Sequence, residues 1–175
     1  GIPFWVRSRD DGYNWSNPKR FPSTCDSVWG SPAEHSGVSG ILVGGSTTID
    51  QLELSDVVSN IKQNVKVPVI LFPGNVTGIS PHADAILFSS LLNSDNPYFI
   101  IGAQALAAPI VKKHNLEAIP MGYLIIGDGG SSGFIGRVRG IPWNKPTLAA
   151  MYALAAQYLG MRFLYLEAGS GVTSH

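Results

Sequence analysis

Short apolar runs that end in glycine-rich turns, each followed by a segment of helical periodicity, recur about five times between Val38 and His175. Runs of this kind read as strands buried on both faces. Interposed helices supply that cover when the strands are parallel, so the alternation commits the chain to repeated βα units. The first run is Gly40 to Val43, which leaves through Gly44-Gly45-Ser46-Thr47. From Asp50, an N-cap type, Leu54, Val57, Val58, Ile61 and Val65 fall on one helical face, and Pro68 then opens a second strand, Val69 to Phe72. After Pro73-Gly74-Asn75, Ser80 and Pro81 have the form of a cap and first position of a short helix, with a third strand at Ala85 to Phe88. Asn96-Pro97 starts the next helix, with Ile100, Ile101, Gln104, Ala105, Ala108 and Val111 along its length. Ala118 to Ile126 is the fourth strand, and 127 to 140, with six glycines, is a long loop. Pro146 begins a helix in which Leu148, Met151, Tyr152, Ala155 and Leu159 repeat with helical spacing, and Gly160 fits the position after its end. Phe163 to Leu166 is the fifth strand, closed by Glu167-Ala168-Gly169-Ser170-Gly171.

Residues 1 to 38 differ from all this, because Trp5, Trp15 and Trp29 lie among polar residues with a period of neither 2 nor 3.6. The chain therefore divides into an irregular N-terminal segment, 1 to 38, and a β/α domain, 39 to 175. Hydrophobic residues make up 45% of the chain and charged ones 14%, the balance of one soluble globular domain. Twelve basic side chains match twelve acidic ones, so no field steers a nucleic acid. The single Cys25 forms no internal disulfide, in keeping with a cytoplasmic location. No apolar run approaches the ~20 residues of a membrane span.

Polar and glycine-rich residues collect just after each strand. In an α/β barrel those strand ends share one active face; a doubly wound sheet has the same local pattern. At Leu166-Glu167-Ala168-Gly169-Ser170-Gly171, glycines admit backbone N–H groups to an anion, the serine adds a donor, and the carboxylate can take a proton from a substrate hydroxyl. The plainer alternative is a glycine-rich turn with a solvated glutamate. Gly44-Gly45-Ser46-Thr47 suits a phosphate or a hard cation such as Mg²⁺, or is an ordinary strand exit. Pro73-Gly74-Asn75 and Asn93-Ser94-Asp95-Asn96-Pro97 read as turns and caps on the same face. The 127 to 140 loop is long enough for an active-site lid or a passive crossover. Asp10-Asp11 has the form of a paired-acid diphosphate site, but Gly12 and Asn14 disfavour the helix such a site needs. His35, His82, His114 and His175 include no pair at helical ligand spacing, and Cys25 has no activating neighbours.

Taken together, VGGST at 43 to 47, PVILFPGN at 68 to 75, ADAILFSSLLNSDNPYFIIGAQA at 83 to 105, IPMGYLII at 119 to 126 and NKPTLAAMYALAAQYLGMRFLYLEAGSG at 144 to 171 resemble the geranylgeranylglyceryl phosphate synthase family, in its group found mainly in archaea. The resemblance implies a TIM-type (β/α)8 barrel, represented here by about strands two to six. It implies a Mg²⁺-assisted prenyltransferase that joins the 3-hydroxyl of sn-glycerol 1-phosphate to geranylgeranyl diphosphate in archaeal membrane lipid synthesis. Carried over by position, Tyr165, Leu166, Glu167, Ala168, Gly169, Ser170 and Gly171 form the glycerol 1-phosphate loop, and Ser46 is the hydroxyl that binds Mg²⁺. Glu167 orients and deprotonates the glycerol hydroxyl, and the apolar interior from Ile70 to Tyr123 takes the prenyl tail. A homo-oligomer is expected of the complete protein.

Two departures accompany the match. Family members open with a strand of the type TLIDPDK, whose first Asp binds Mg²⁺, and nothing in 1 to 37 corresponds to it, so the second metal ligand is unassigned. They also run on past YLEAGSG through two more strands, whose GGG and GN turns hold the phosphate. The expectation is therefore an incomplete barrel, without measurable synthase activity by itself, whose strands near Ile41 and Phe163 are edges unless 1 to 38 or another chain covers them. The rival readings are an inactive remnant with weak or no phosphate or lipid binding, and a sugar-phosphate barrel enzyme. Apolar strand ends without carboxylate pairs count against the latter.

Overall fold

The structure, a computed structural model, describes residues 3–6, 19–20, 37–45 and 51–170. It forms two compact units, residues 1–87 with 110–118, and residues 88–109 with 119–175.

In the first unit, β1 (Pro3–Val6), β2 (Lys19–Arg20), β3 (Ile41–Gly45), β4 (Val69–Pro73) and the start of β5 (Ala85–Leu91) lie side by side. β3 pairs parallel with β4, from Ile41↔Val69 to Gly45↔Pro73, and β4 parallel with β5 at Ile70↔Ala85 and Leu71↔Ile86. The segment expected to be irregular contributes two short strands. β1 runs antiparallel along β3, Val6 opposite Ile41, and so covers the edge that the sequence left open there.

Helix α1 (Gln51–Asn64) follows the expected 3.6 period: Leu54, Val58, Ile61 and the following Val65 are buried with Val69 and Leu71 of β4 in one core. Glu53 in its first turn and Lys62 in its last complement the helix dipole. Lys62 also reaches off the helix to both oxygens of Asp84, at 2.9 and 2.8 Å. Asp84 in turn accepts from the buried backbone N–H of Val69 at 2.7 Å, which ties the helix, β4 and the entry to β5 at one carboxylate.

Burial pushes the Asp84 carboxyl up, but the hydrogen bonds from Lys62 and Val69 and the Lys62 charge outweigh it and hold the carboxyl below its ordinary 3.8. A carboxyl lowered by folding adds stability above its unfolded value and loses it as pH falls through the folded one. Acid titration followed by circular dichroism should therefore show an Asp84 contribution that disappears below about pH 4. Asp84→Ala should cost ~1–2 kcal/mol at neutral pH, chiefly by orphaning the Val69 N–H, and should flatten that acid dependence.

The helix expected at Ser80-Pro81 is absent. Too few residues separate Ser80 from β5 for a nucleated helix. Ser80, fully buried, instead accepts from the His82 N–H at 3.3 Å in a serine turn. The helical turn in this stretch comes earlier, a 3₁₀ turn at Val76–Gly78 capped by Asn75, whose Oδ1 accepts from Val76 N at 2.8 Å.

The second unit holds the end of β5, a π-turn at Tyr98–Gly102, most of α2 (Ala103–Lys113), the bulk of β6 (Glu117–Gly129), α3 (Gly130–Gly136), α4 (Pro146–Tyr158) and β7 (Phe163–Ser170). Asn96 starts the π-turn as expected, its Oδ1 accepting from Tyr98 N at 3.0 Å. β6 and β7 pair in parallel, Met121↔Phe163 through Ile125↔Glu167.

Two helix faces differ from the periodic reading. In α2 the buried positions are Ala107 and Val111, whereas Ile101, in the π-turn that leads into it, is 64% exposed. In α4 the stripe Leu148, Met151, Tyr152, Leu159 is exposed, and the buried position is Ala156, one turn after Tyr152 on the flank of that stripe. A helix apolar all round carries no directional signal, and its alanine side is the one that allows close approach. Gly160, at φ 84°, ends α4 as expected.

The 127 to 140 stretch is not a structureless loop. β6 extends to Gly129, and α3 follows despite its three glycines because other parts of the chain hold it. Ser94 Oγ donates to Gly136 O at 2.5 Å, Asp95 N donates to Arg137 O at 2.9 Å, and Arg137 closes the helix in the left-handed region at φ 50°.

Candidate functional site

The residues singled out in the sequence fall in different places. Ser46 and Thr47 lie outside the described residues, as do Gly171 and the side chain of Ser170. Of the 43 to 47 motif the structure shows Gly44, where a Cβ would lie 1.9 Å from the Phe72 carbonyl oxygen. The first glycine of that pair therefore answers to the close approach of β3 to β4.

Glu167 is brought into a cluster. β7 continues through it to Ser170, so the carboxylate stands on a strand rather than in a flexible turn, and alternation places Tyr165, Glu167 and Gly169 on one face with Leu166 and Ala168 on the other. Leu166, 55% exposed, is not gathered with Tyr165 and Glu167. On the neighbouring strand Tyr123 lies opposite Tyr165, their rings meeting edge to face at 5.4 Å and 69°. The Tyr123 hydroxyl donates to the Glu167 carboxylate. Burial raises the Tyr165 hydroxyl above its ordinary 10.0, which keeps it a neutral donor at physiological pH. The result is a half-buried carboxylate on β7 that holds the Tyr123 hydroxyl, with the Tyr165 ring packed beside Tyr123 on the same face. Such an arrangement can bind a polyol and accept a proton from one of its hydroxyls.

Beyond the cluster, the register of β6 and β7 shifts across a bulge before they pair again at Gly129 and Gly169, and Gly169 adopts φ 139°. α3 packs against β7 at this end. Asn93, 3% exposed, ties both ends of the 125 to 141 stretch together. Its Nδ2 donates to Ile125 O at 2.9 Å and Arg139 O at 3.1 Å, and its Oδ1 accepts from Ile125 N at 3.3 Å, so one side chain completes the ladder of β6 where β5 has ended. Sequence reasoning took Asn93 for an ordinary turn residue and placed Tyr123 only at one end of the apolar interior for the prenyl tail. Aligning the two strands in parallel register, which sets Tyr123 beside the Tyr165 of YLEAGSG, was the signal available for the second. Among the described residues no group of three or more His, Cys, Asp or Glu side chains gathers in a way that would hold a metal.

Residues 30–175 match the PcrB family. The chain belongs to that family. Among curated relatives, the geranylgeranylglyceryl phosphate synthase of Nitrosopumilus maritimus is 64% identical over 141 residues, covering 81% of this chain and 56% of the relative. The synthase of Methanothermobacter marburgensis is 59% identical over 139 residues, covering 79% and 56%. This PcrB-family chain thus spans a little over half the length of those relatives. Among solved structures, (S)-3-O-geranylgeranylglyceryl phosphate synthase from Thermoplasma acidophilum, in complex with its substrate sn-glycerol-1-phosphate, shares 42% identity at a TM-score of 0.82, covering 89% of this chain and 63% of that one. Wild-type GGGPS from Thermoplasma volcanium shares 43% at a TM-score of 0.76, covering 84% and 63%. The PcrB-family chain therefore has the fold class expected of it, part of a TIM-type (β/α) barrel rather than a doubly wound sheet.

Proposed function

We propose that the protein carrying this chain is a prenyltransferase that forms an ether bond between sn-glycerol 1-phosphate and geranylgeranyl diphosphate, in the synthesis of archaeal membrane lipids. The observation that carries the reading is the Tyr123–Glu167–Tyr165 cluster on the paired strands β6 and β7, in a fold shared with a synthase solved with sn-glycerol-1-phosphate. Tyr165, Glu167, Gly169 and the backbone between them hold the glycerol phosphate. Glu167 accepts the proton of the 3-hydroxyl as its oxygen forms the new bond to C1 of the prenyl chain. The bond from C1 to the diphosphate oxygen breaks, and diphosphate leaves with the electron pair.

Mg²⁺ belongs to this proposal through Ser46. A magnesium ion bound to a diphosphate takes most of its ligands from water and phosphate and only one or two from protein, so the chemistry fits a chain whose described residues build no carboxylate cage. When bound, the ion neutralises charge on the departing diphosphate. Ser46→Ala should raise the Mg²⁺ concentration needed for half-maximal turnover of the complete chain without lowering its melting temperature. An unchanged metal titration would return Gly44-Gly45-Ser46-Thr47 to an ordinary strand exit.

The exposed stripe Met151, Tyr158 and Leu159 on α4 supports a homo-oligomer. No helix among the described residues is long and apolar enough to cross a membrane, and we place the reaction in the cytoplasm. Calorimetric titration of the complete chain with sn-glycerol 1-phosphate tests the substrate directly. Micromolar binding is the expected result, and no heat at millimolar ligand would count against the reading.

A further inference from the structure

Tyr123 is held from several directions. Its carbonyl accepts from Leu92 N at 2.9 Å, its ring meets Tyr165 edge to face, and one residue earlier Gly122 lies close to Ala156 of α4. A Cβ on Gly122 would lie 2.9 Å from Leu164 Cδ1 and 3.2 Å from Ala156 Cβ, so that face of the strand is closely packed and Tyr123 is presented on the other. The hydroxyl delivered by this framework donates to the Glu167 carboxylate across the strand pair.

Glutamate has three rotatable side-chain torsions, and a base left to sample them spends little time in the geometry that takes a proton. A hydrogen bond from a fixed phenol removes that freedom. It uses one of the roughly four acceptor sites of a carboxylate. We propose that Tyr123 is the positioning residue for Glu167, fixing the carboxylate in the orientation from which it receives the glycerol proton. This rests on the base role given to Glu167 above.

The test is a double-mutant cycle on the complete natural chain, with kcat and KM measured for Tyr123→Phe, Glu167→Gln and the pair. Tyr123→Phe keeps the ring and its packing on Tyr165. It should leave the melting midpoint and the KM for prenyl diphosphate unchanged and lower kcat by ~10-fold, the scale of a hydrogen bond to a charged group. In the Glu167→Gln background the same change should cost nothing further, because no oriented base is left to lose. Equal losses in both backgrounds, no loss in either, or a loss that follows a lowered melting midpoint would each overturn the proposal. If Glu167→Gln alone keeps normal turnover, the base reading falls and this inference with it. That failure shows in the single variant, before the cycle is closed.

Discussion

Glu167→Gln in the complete chain should lower kcat by a factor of ~10² to 10⁴ while leaving sn-glycerol 1-phosphate bound. The amide is isosteric, remains able to accept from Tyr123, and sits on the same strand position, so the fold and the phenol contacts should survive. It cannot take a proton at neutral pH. Interactions that hold the ground state would persist and the one made in the transition state would be lost, the pattern of a fall in kcat with little change in binding. Steady-state kinetics with a calorimetric binding check reads both quantities. Near-normal turnover would remove Glu167 from the chemistry.

Asn93→Ala should destabilise the protein by ~3 kcal/mol, enough to lower its melting temperature by ~6–12 °C. Three hydrogen bonds vanish with the side chain. The Ile125 N–H, at a position with no solvent exposure, is left without this acceptor, and Arg139 O loses its Asn93 donor. Ile125 O keeps a bond from Ile141 N at 3.1 Å, so the cost falls on the other two groups. Because Ile125 stands opposite Glu167 in register, part of the damage should reach the site as lost turnover. Thermal unfolding followed by circular dichroism measures the main effect, and a shift under ~2 °C would mean that water replaces the side chain.

What the sequence disclosed follows from how local each signal is. α1 was legible because Leu54, Val58 and Ile61 repeat within one helix, between polar neighbours, and burial follows the period. The strands were legible as apolar runs, and only their ends were misjudged: β6 and β7 extend through Gly129 and Ser170, where backbone pairing continues after the apolar residues stop. α3 was hidden because its partners, Ser94 and Asp95, lie about forty residues earlier, and its own glycines argue against a helix. α4 was found, but its buried side lies on the flank of the expected stripe, since Leu148 and Met151 outrank alanine in hydrophobicity while Ala156 is the residue that approaches Gly122. Of the site, Glu167 and Tyr165 were readable from a motif. Tyr123 became visible only through strand register, and Ser46 lies outside the described residues.

The central claim is prenyl transfer to glycerol 1-phosphate, and one measurement bears on it most directly. The complete natural chain is incubated with radiolabelled geranylgeranyl diphosphate, sn-glycerol 1-phosphate and Mg²⁺, and the ether product is separated after phosphatase treatment. The account predicts Mg²⁺-dependent transfer of label to the glycerol 3-hydroxyl, strongly reduced by Glu167→Gln. A monodisperse, folded protein that binds sn-glycerol 1-phosphate yet transfers no label under these conditions would contradict it.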